Sequence, residues 1–305
     1  MPIINTQSLF QQLNGSKSSG FATIHAPVHS TPGGTPYLTA PGVVLLAKPN
    51  INMAGLAGFL DGFDPELHFP EYLDDPTPLP EGAQLCKVAG QVCYMSFSPR
   101  RTKNAQAKRY FDNLKSSGHG SVFEHASFSF LLYGISRSVT HELVRHRHLS
   151  YSQLSQRFVS GKMLRFVERP EYQSETLLHQ QFLERIDRAA QEYAMLTNHL
   201  LEMQQSGVSI LSADARTDLR KKVQQTARSV LPNETEAPIV VTGNARAWRH
   251  IIEMRASAHA ETEIRALAVR VFLCLQQADP VLFDDYTIEQ ISDGTHIVKT
   301  DFEKV

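Results

Sequence analysis

The chain has 305 residues, with 30 Lys+Arg against 31 Asp+Glu and a net charge of −1. That balance excludes a polycation that coats nucleic acid by bulk charge, and it leaves room for a local basic site. The three cysteines (Cys86, Cys93 and Cys274) exclude a disulfide scaffold and a four-cysteine zinc site. No apolar run approaches the roughly 20 residues a membrane helix needs, and the N-terminal stretch lacks the basic start and apolar run of a secretory signal. A soluble, cytoplasmic, reduced protein without membrane contact is expected.

Residues 1–42 are rich in Ser, Thr, Gly and Pro and show neither helical nor strand period, which predicts an irregular N-terminal extension. Residues 43–305 read as one domain. Val43 to Ala47 is apolar and β-branched and predicts a buried strand, ended by Pro49. Residues 61–82, rich in proline and acids, predict a surface loop. From Glu81 onward, Leu85, Val88, Ala89 and Val92 repeat at helical spacing; Cys86 and Cys93, seven apart, share a face and read as small buried hydrophobes. A second helix is expected from Lys103 to Ser117, stopped by Gly118. Ala126 to Tyr133 alternates Phe128, Phe130 and Leu132 with Ser127 and Ser129, the pattern of a half-buried strand. Gly134 turns the chain, and Ser136 or Ser138 is placed to cap a helix carrying Val139, Leu143 and Val144. Helices over 174–206 and 212–231 follow, stopped by Gly207 and Pro232, and then a strand over 238–242. Asn244 to Ala278 predicts the longest helix, about 50 Å at 1.5 Å per residue, long enough to pack against other subunits, with Cys274 on its apolar side. Segments 286–291 and 295–298, joined through Asp293-Gly294, predict a terminal hairpin. The class is α+β.

The densest polar cluster runs from Arg145 to Arg157 (RHRHLSYSQLSQR). It contains three arginines, two histidines, three serines and two glutamines, and no acid. A solvated face usually mixes Lys with Glu; this one pairs Arg with hydroxyls and amides. The planar guanidinium fork matches phosphate, and Ser and Gln add neutral donors, so the segment reads as an anion site. A second cluster, Arg246, His250, Arg255 and His259, interrupts an amphipathic helix, with Asn244 at its start and Arg228 ending the preceding helix. Gly118 to His125 is a third candidate, where glycines allow close backbone approach to a ligand. P-loop, Rossmann and G-x-S-x-G patterns are absent. His141 and His146 are five apart, which puts them about 140° off a shared helix face, so no metal site is expected. No cysteine has the setting of a nucleophile.

Arg145-His146-Arg147, Ser150, Ser155 and Arg157 fill every fixed position of the RHRxxSxxxxSxR signature of the flavin-dependent thymidylate synthases (ThyX), and the chain resembles the actinobacterial-type members of that family. The similarity continues through HGSVFEHASFSF, GISRSVTHELVRHRH, the stretch from Ala227 to Ala268 and the DGT hairpin, and covers roughly residues 43–298. The resemblance implies a ThyX-like α+β fold with a central mixed or antiparallel sheet, long flanking helices and a homotetramer. It implies one catalytic domain over 43–305, with FAD held between subunits. The implied reaction is reductive methylation of dUMP to dTMP, with 5,10-methylenetetrahydrofolate as carbon donor and NADPH-reduced FAD as hydride source. Carried over by position, dUMP is expected at Glu142, Leu143, Val144, Arg145, Gln153, Leu154, Ser155, Gln156, Arg157, Arg228 and Arg255. Arg255 is the catalytic residue, stabilising charge as the uracil N3 loses its proton. FAD is expected at Ser121, Arg145, His146, Arg147, Gln153, Asn244, Ala245, Arg246 and His250, with His119 near flavin and folate. Some members carry Glu where this chain has Gln153. Two other readings are nucleic-acid binding through the Arg145–Arg157 segment, disfavoured by the neutral charge, and a flavin-binding relative without synthase activity, disfavoured by the intact Arg157 and Arg255.

Overall fold

The computed structural model describes residue 13 and residues 21–158, 161–206, 211, 216–303 and 305. Its centre is a five-stranded sheet of β1 (Thr23–Ile24), β4 (Gly42–Ala47), β5 (Ser127–Tyr133), β8 (Ile239–Asn244) and β6 (Leu149–Gln153), in that spatial order. Every pairing in this sheet is antiparallel. The period-2 reading of β5 holds: Phe128, Phe130 and Leu132 are buried while Ser127 faces out. On the buried face, Phe130 meets the Trp248 ring edge-on at 5.1 Å, and Trp248 Nε1 donates to the Phe128 carbonyl at 3.2 Å. This satisfies the indole polar atom inside the core. A small second sheet joins β2 (Val28–Ser30), β3 (Pro36–Leu38) and β7 (Phe166–Val167), with β3 and β7 parallel.

The main helices are α1 (Glu81–Val92), α2 (Ala107–Ser116), α3 (Arg137–Leu143), α4 (Thr176–Gln205), α5 (Arg216–Ala227), α6 (Ala245–Arg255) and α7 (Thr262–Ala278). Strands β9 (Tyr286–Gln290) and β10 (His296–Thr300) form the expected hairpin. The chain is thus a mixed α+β protein. Among the described residues no helix is long and apolar enough to cross a membrane.

Four expectations change. Residues 21–42 carry three strands, and Ala22, Ile24 and Leu38 are buried. Strands of two or three residues are too short for a period to show, and β1 exists because β4 offers it a pairing edge; residues 1–12 and 14–20 lie outside the described residues. The stretch 61–82 contains 3-10 turns at Pro65–Leu67 and Phe69–Asp74, and Phe69 and Tyr72 pack with Leu60, Val88 and Phe97 in a satellite cluster. Cys86 is buried, but Cys93 lies one residue past α1 and is exposed, so the shared face does not extend to it.

The expected 244–278 helix is two helices, and α4, with 30 residues, is the longest described. The break has tertiary causes. The Glu261 carboxylate accepts from the N–H groups of Glu263 and Ile264 and so starts a new helix, while the Ala256 carbonyl accepts from Val298 N–H of β10 at 3.0 Å. A start to the 212–231 helix before residue 216 falls outside the described residues.

Asp279 ties the start of α1 to the end of α7. Its buried carboxylate accepts from Ala83 N–H at 2.7 Å and Leu282 N–H at 3.2 Å. Burial pushes this carboxyl up to about 7. Asp279→Ala leaves buried donors unmatched and is expected to destabilise the protein by about 3 kcal/mol, whereas Asp279→Asn keeps an acceptor and stays within about 1 kcal/mol. Because the folded-state pKa is raised, the protonated carboxyl's advantage is full below pH about 4 and lost as pH rises through about 7. Denaturant titrations of the two variants at pH 5 and pH 8 check both points.

Candidate active site

The polar cluster is organised by α3, the turn after it, and the edge strand β6. Ser136, not Ser138, caps α3: its Oγ accepts from Val139 N–H at 3.3 Å. Buried Glu263 at the start of α7 accepts from both Ser136 N–H (2.7 Å) and Ser136 Oγ (2.8 Å), which locks α3 to the helix that follows Arg255. After the turn, Leu149–Gln153 pairs with β8. The sequence reading missed this strand, because a sheet edge with Ser150 and Ser152 facing out looks like a loop. Leu149 lies opposite Gly243, and a Cβ at Gly243 would come within 2.0 Å of Leu149 Cδ2. The absent side chain is what lets the strand carrying the signature close onto the sheet. The Tyr151 hydroxyl donates toward the carbonyls of Leu143 (2.7 Å) and His146 (2.8 Å), pinning the Arg145–His148 turn.

That turn faces the first residues of α6 across a cavity of about 480 Å³, lined by His146, Arg147, His148, Asn244, Arg246 and His250 among others. Arg246 lies over Gly120, where a Cβ would sit 2.9 Å from its Nε, and it pairs with Glu124 at 2.6 Å. Ser121 is exposed on the same 3-10 turn. The Asn244 side chain accepts from Ala247 N–H at 2.9 Å, so it serves as the cap of α6. The His146 and His250 rings stand edge to face at 5.6 Å.

Arg255, the last residue of α6, reaches this turn. Its NH1 donates to Glu142 Oε2 at 2.7 Å and its Nε donates to His146 Nε2 at 3.0 Å. Burial, then the Arg255 charge, then His250 hold His146 down at about 4. The geometry agrees: a ring nitrogen that accepts from a guanidinium carries no proton. His146 is therefore neutral near pH 7, with its hydrogen on Nδ1.

The remaining expected residues divide. Arg145 and Val144 are exposed on the turn. The side chains of Leu143 and Ala245 are buried in the core, so only their backbone can meet a ligand. Gln153, Leu154 and Ser155 are half-buried along the end of β6. Gln156 is buried and bonds Arg137, while Arg157 Nε donates to Gln225 at 3.0 Å. Arg228 sits in a 3-10 turn after α5. His119 is exposed before the Gly120 turn. Arg137, Glu124 and Tyr151 went unassigned in the sequence reading, although all three lie inside the similar segments; partner choice across the fold, not residue type, reveals them. Burial pushes the Cys86 and Cys274 thiols up to about 12, which leaves both as inert core groups.

A fold with an antiparallel sheet, an arginine-rich edge strand and a cation-lined cleft defines a nucleotide-handling enzyme. The family profile described as "Thymidylate synthase complementing protein" matches residues 76–281. The chain is 42% identical over 233 residues (76% of this chain, 90% of the relative) to the flavin-dependent thymidylate synthase of Mycolicibacterium gilvum (strain PYR-GCK). It is 44% identical over 220 residues (72% and 85%) to that of Mycobacterium sp. (strain KMS). Over 216 residues (71% and 84%) it is 45% identical to that of Mycobacterium tuberculosis (strain ATCC 25177 / H37Ra). The chain belongs to the flavin-dependent thymidylate synthase family.

Proposed function

We propose that this enzyme converts dUMP to dTMP, taking one carbon from 5,10-methylenetetrahydrofolate and the hydride from NADPH by way of FAD, in a homotetramer whose sites are shared between subunits. The observation that carries the reading is Arg255, fixed by Glu142 and His146 beside the cavity. A guanidinium held ready at that point is a fixed cation for a uracil whose N3 loses a proton, and charge on the ring is what makes C5 nucleophilic. Such preorganised charge stabilises the developing anion without rearrangement during the step. Neutral His146 orients Arg255 and adds no competing positive charge.

The donor set fits FAD. Arg147 and Arg246 offer guanidinium forks to a pyrophosphate, His146 and His250 offer ring faces, and Gly120 leaves the close approach open. Ser121, Arg145, Gln153 and Asn244 complete the proposed contacts. Bound and reduced, the flavin supplies the hydride that completes the methyl group. His119 flanks flavin and folate, and Glu142 to Arg145, Gln153 to Arg157 and Arg228 hold dUMP. Incubating the purified protein with dUMP, NADPH, FAD and methylenetetrahydrofolate is expected to form dTMP; failure to form it with FAD bound would overturn the reading.

Two predictions follow from the site chemistry. Replacing all three cysteines by Ser or Ala is expected to leave substantial turnover, because two are buried with raised pKa values and the third lies at a helix end. Steady-state dTMP formation by the triple variant checks it. For His146, the folded pKa of about 4 lies below its ordinary 6.5, so its stabilisation is full above pH 6.5 and is lost as pH falls towards 4. The difference in melting temperature between the wild type and His146→Gln should therefore be largest above pH 6.5 and shrink towards pH 4.

A further inference from the structure

At the opposite end of α3 from Glu142, two arginines face each other without an acid. Arg137 opens the helix and is half-buried. Its one side-chain hydrogen bond among the described residues is to Gln156 Oε1 at 3.1 Å. The nearest charge acting on it is Arg228, and burial together with that like charge lowers its pKa. Neither arginine pairs with a carboxylate among the described residues, where Arg165, Arg169, Arg185, Arg246, Arg249, Arg255 and Arg265 all do. Gln156 completes the arrangement. It is buried, its oxygen is used by Arg137, and its Nε2 has no partner among the described residues.

A buried donor without an acceptor and two half-buried cations without a counter-ion are each unfavourable, and one ligand relieves both. That ligand must be an anion with several acceptor oxygens and enough charge to offset two guanidiniums. A phosphate monoester has three free oxygens and close to two negative charges at neutral pH, whereas a phosphodiester has two oxygens and one charge. We infer that Arg137, with Arg228 and the Gln156 amide, forms the subsite for the dianionic 5′-phosphate of the nucleotide substrate, and that the opposed arginines select a monoester over a diester. The inference rests on dUMP being the substrate, and it adds Arg137 to the dUMP contacts as a positioning residue. It also separates the two anions by place. The diester phosphates of FAD go to Arg147 and Arg246, and the monoester goes to the far end of α3, about 7.5 Å along the helix axis from Glu142.

The test uses the FAD-loaded enzyme and two ligands, dUMP and its 5′-methyl phosphodiester, with binding followed by titration calorimetry. The wild type should prefer dUMP by about tenfold or more, the worth of one charge-assisted contact. In Arg137→Gln the dUMP affinity should fall by about tenfold to a hundredfold, and the monoester preference should collapse towards unity. A merely structural role would weaken both ligands alike and keep their ratio. An unchanged ratio in Arg137→Gln therefore overturns the inference, as does unchanged dUMP affinity. If Arg137→Gln fails to fold, Arg228→Gln carries the same comparison, because the two cations share one phosphate. Failure of the underlying reading looks different: wild-type protein with FAD bound would then bind neither ligand.

Discussion

Arg255→Ala is expected to retain FAD and to lose dTMP synthesis by about a hundredfold to a thousandfold, the range seen when one preorganised donor to a developing anion is removed. Arg255 stands at the end of α6, half-buried, with its donors spread over Glu142 Oε2, the Glu142 carbonyl and His146 Nε2. Glu142 and His146 hold the fork in one plane, so its direction is set before substrate arrives. Arg255→Lys keeps the charge and loses the fork, and should fall between the wild type and Ala. The flavin contacts lie on Arg147, Arg246 and His250, so cofactor content should change little. Tritium release from labelled dUMP reads the loss; near-wild-type turnover in Arg255→Ala would remove this residue from the chemistry.

The largest expected loss of stability is in Arg249→Ala. Arg249 lies on the buried side of α6, binds Asp285 in bidentate fashion at 2.8 Å on both arms, and donates to the Leu282 carbonyl at 3.0 Å. Its guanidinium also lies over the Tyr286 and Phe123 rings, 4.7 Å and 5.5 Å from their centroids. Truncation leaves a buried Asp285 whose carboxyl the Arg249 contact helps hold down at about 2, against its own desolvation. Removing one member of a buried ion pair is expected to cost about 3–5 kcal/mol. Lys115, 3.0 Å from Asp285, compensates in part and puts the loss at the lower end. The urea midpoint of the variant checks the value. Activity should follow stability here, because α6 carries Arg246, His250 and Arg255 on one rigid element.

Much of this was legible in the residues, and what was not has identifiable causes. The alternation of Phe128, Phe130 and Leu132 announced β5, and Ser136 announced the start of α3, because those signals are local. The break between α6 and α7 was not local: residues 256–261 contain acceptable helix formers, and the interruption comes from Val298 claiming the Ala256 carbonyl. Strand β6 was hidden because its exposed face is serine, so it carries half the apolar signal of an interior strand. Within the site, the Arg145–Arg157 cluster identified itself by composition. Which cation meets which acid did not: Arg246 with Glu124 and Arg255 with Glu142 are choices made across more than 100 residues of sequence.

The most direct test is the visible spectrum of the purified protein, recorded anaerobically before and after NADPH and then dUMP. A flavoprotein of this family acting through the site described here shows flavin bands that dUMP perturbs and NADPH bleaches, and Arg255→Ala keeps the bands. A colourless protein that takes up no FAD, or bound flavin that NADPH leaves oxidised and dUMP leaves unperturbed, would contradict it.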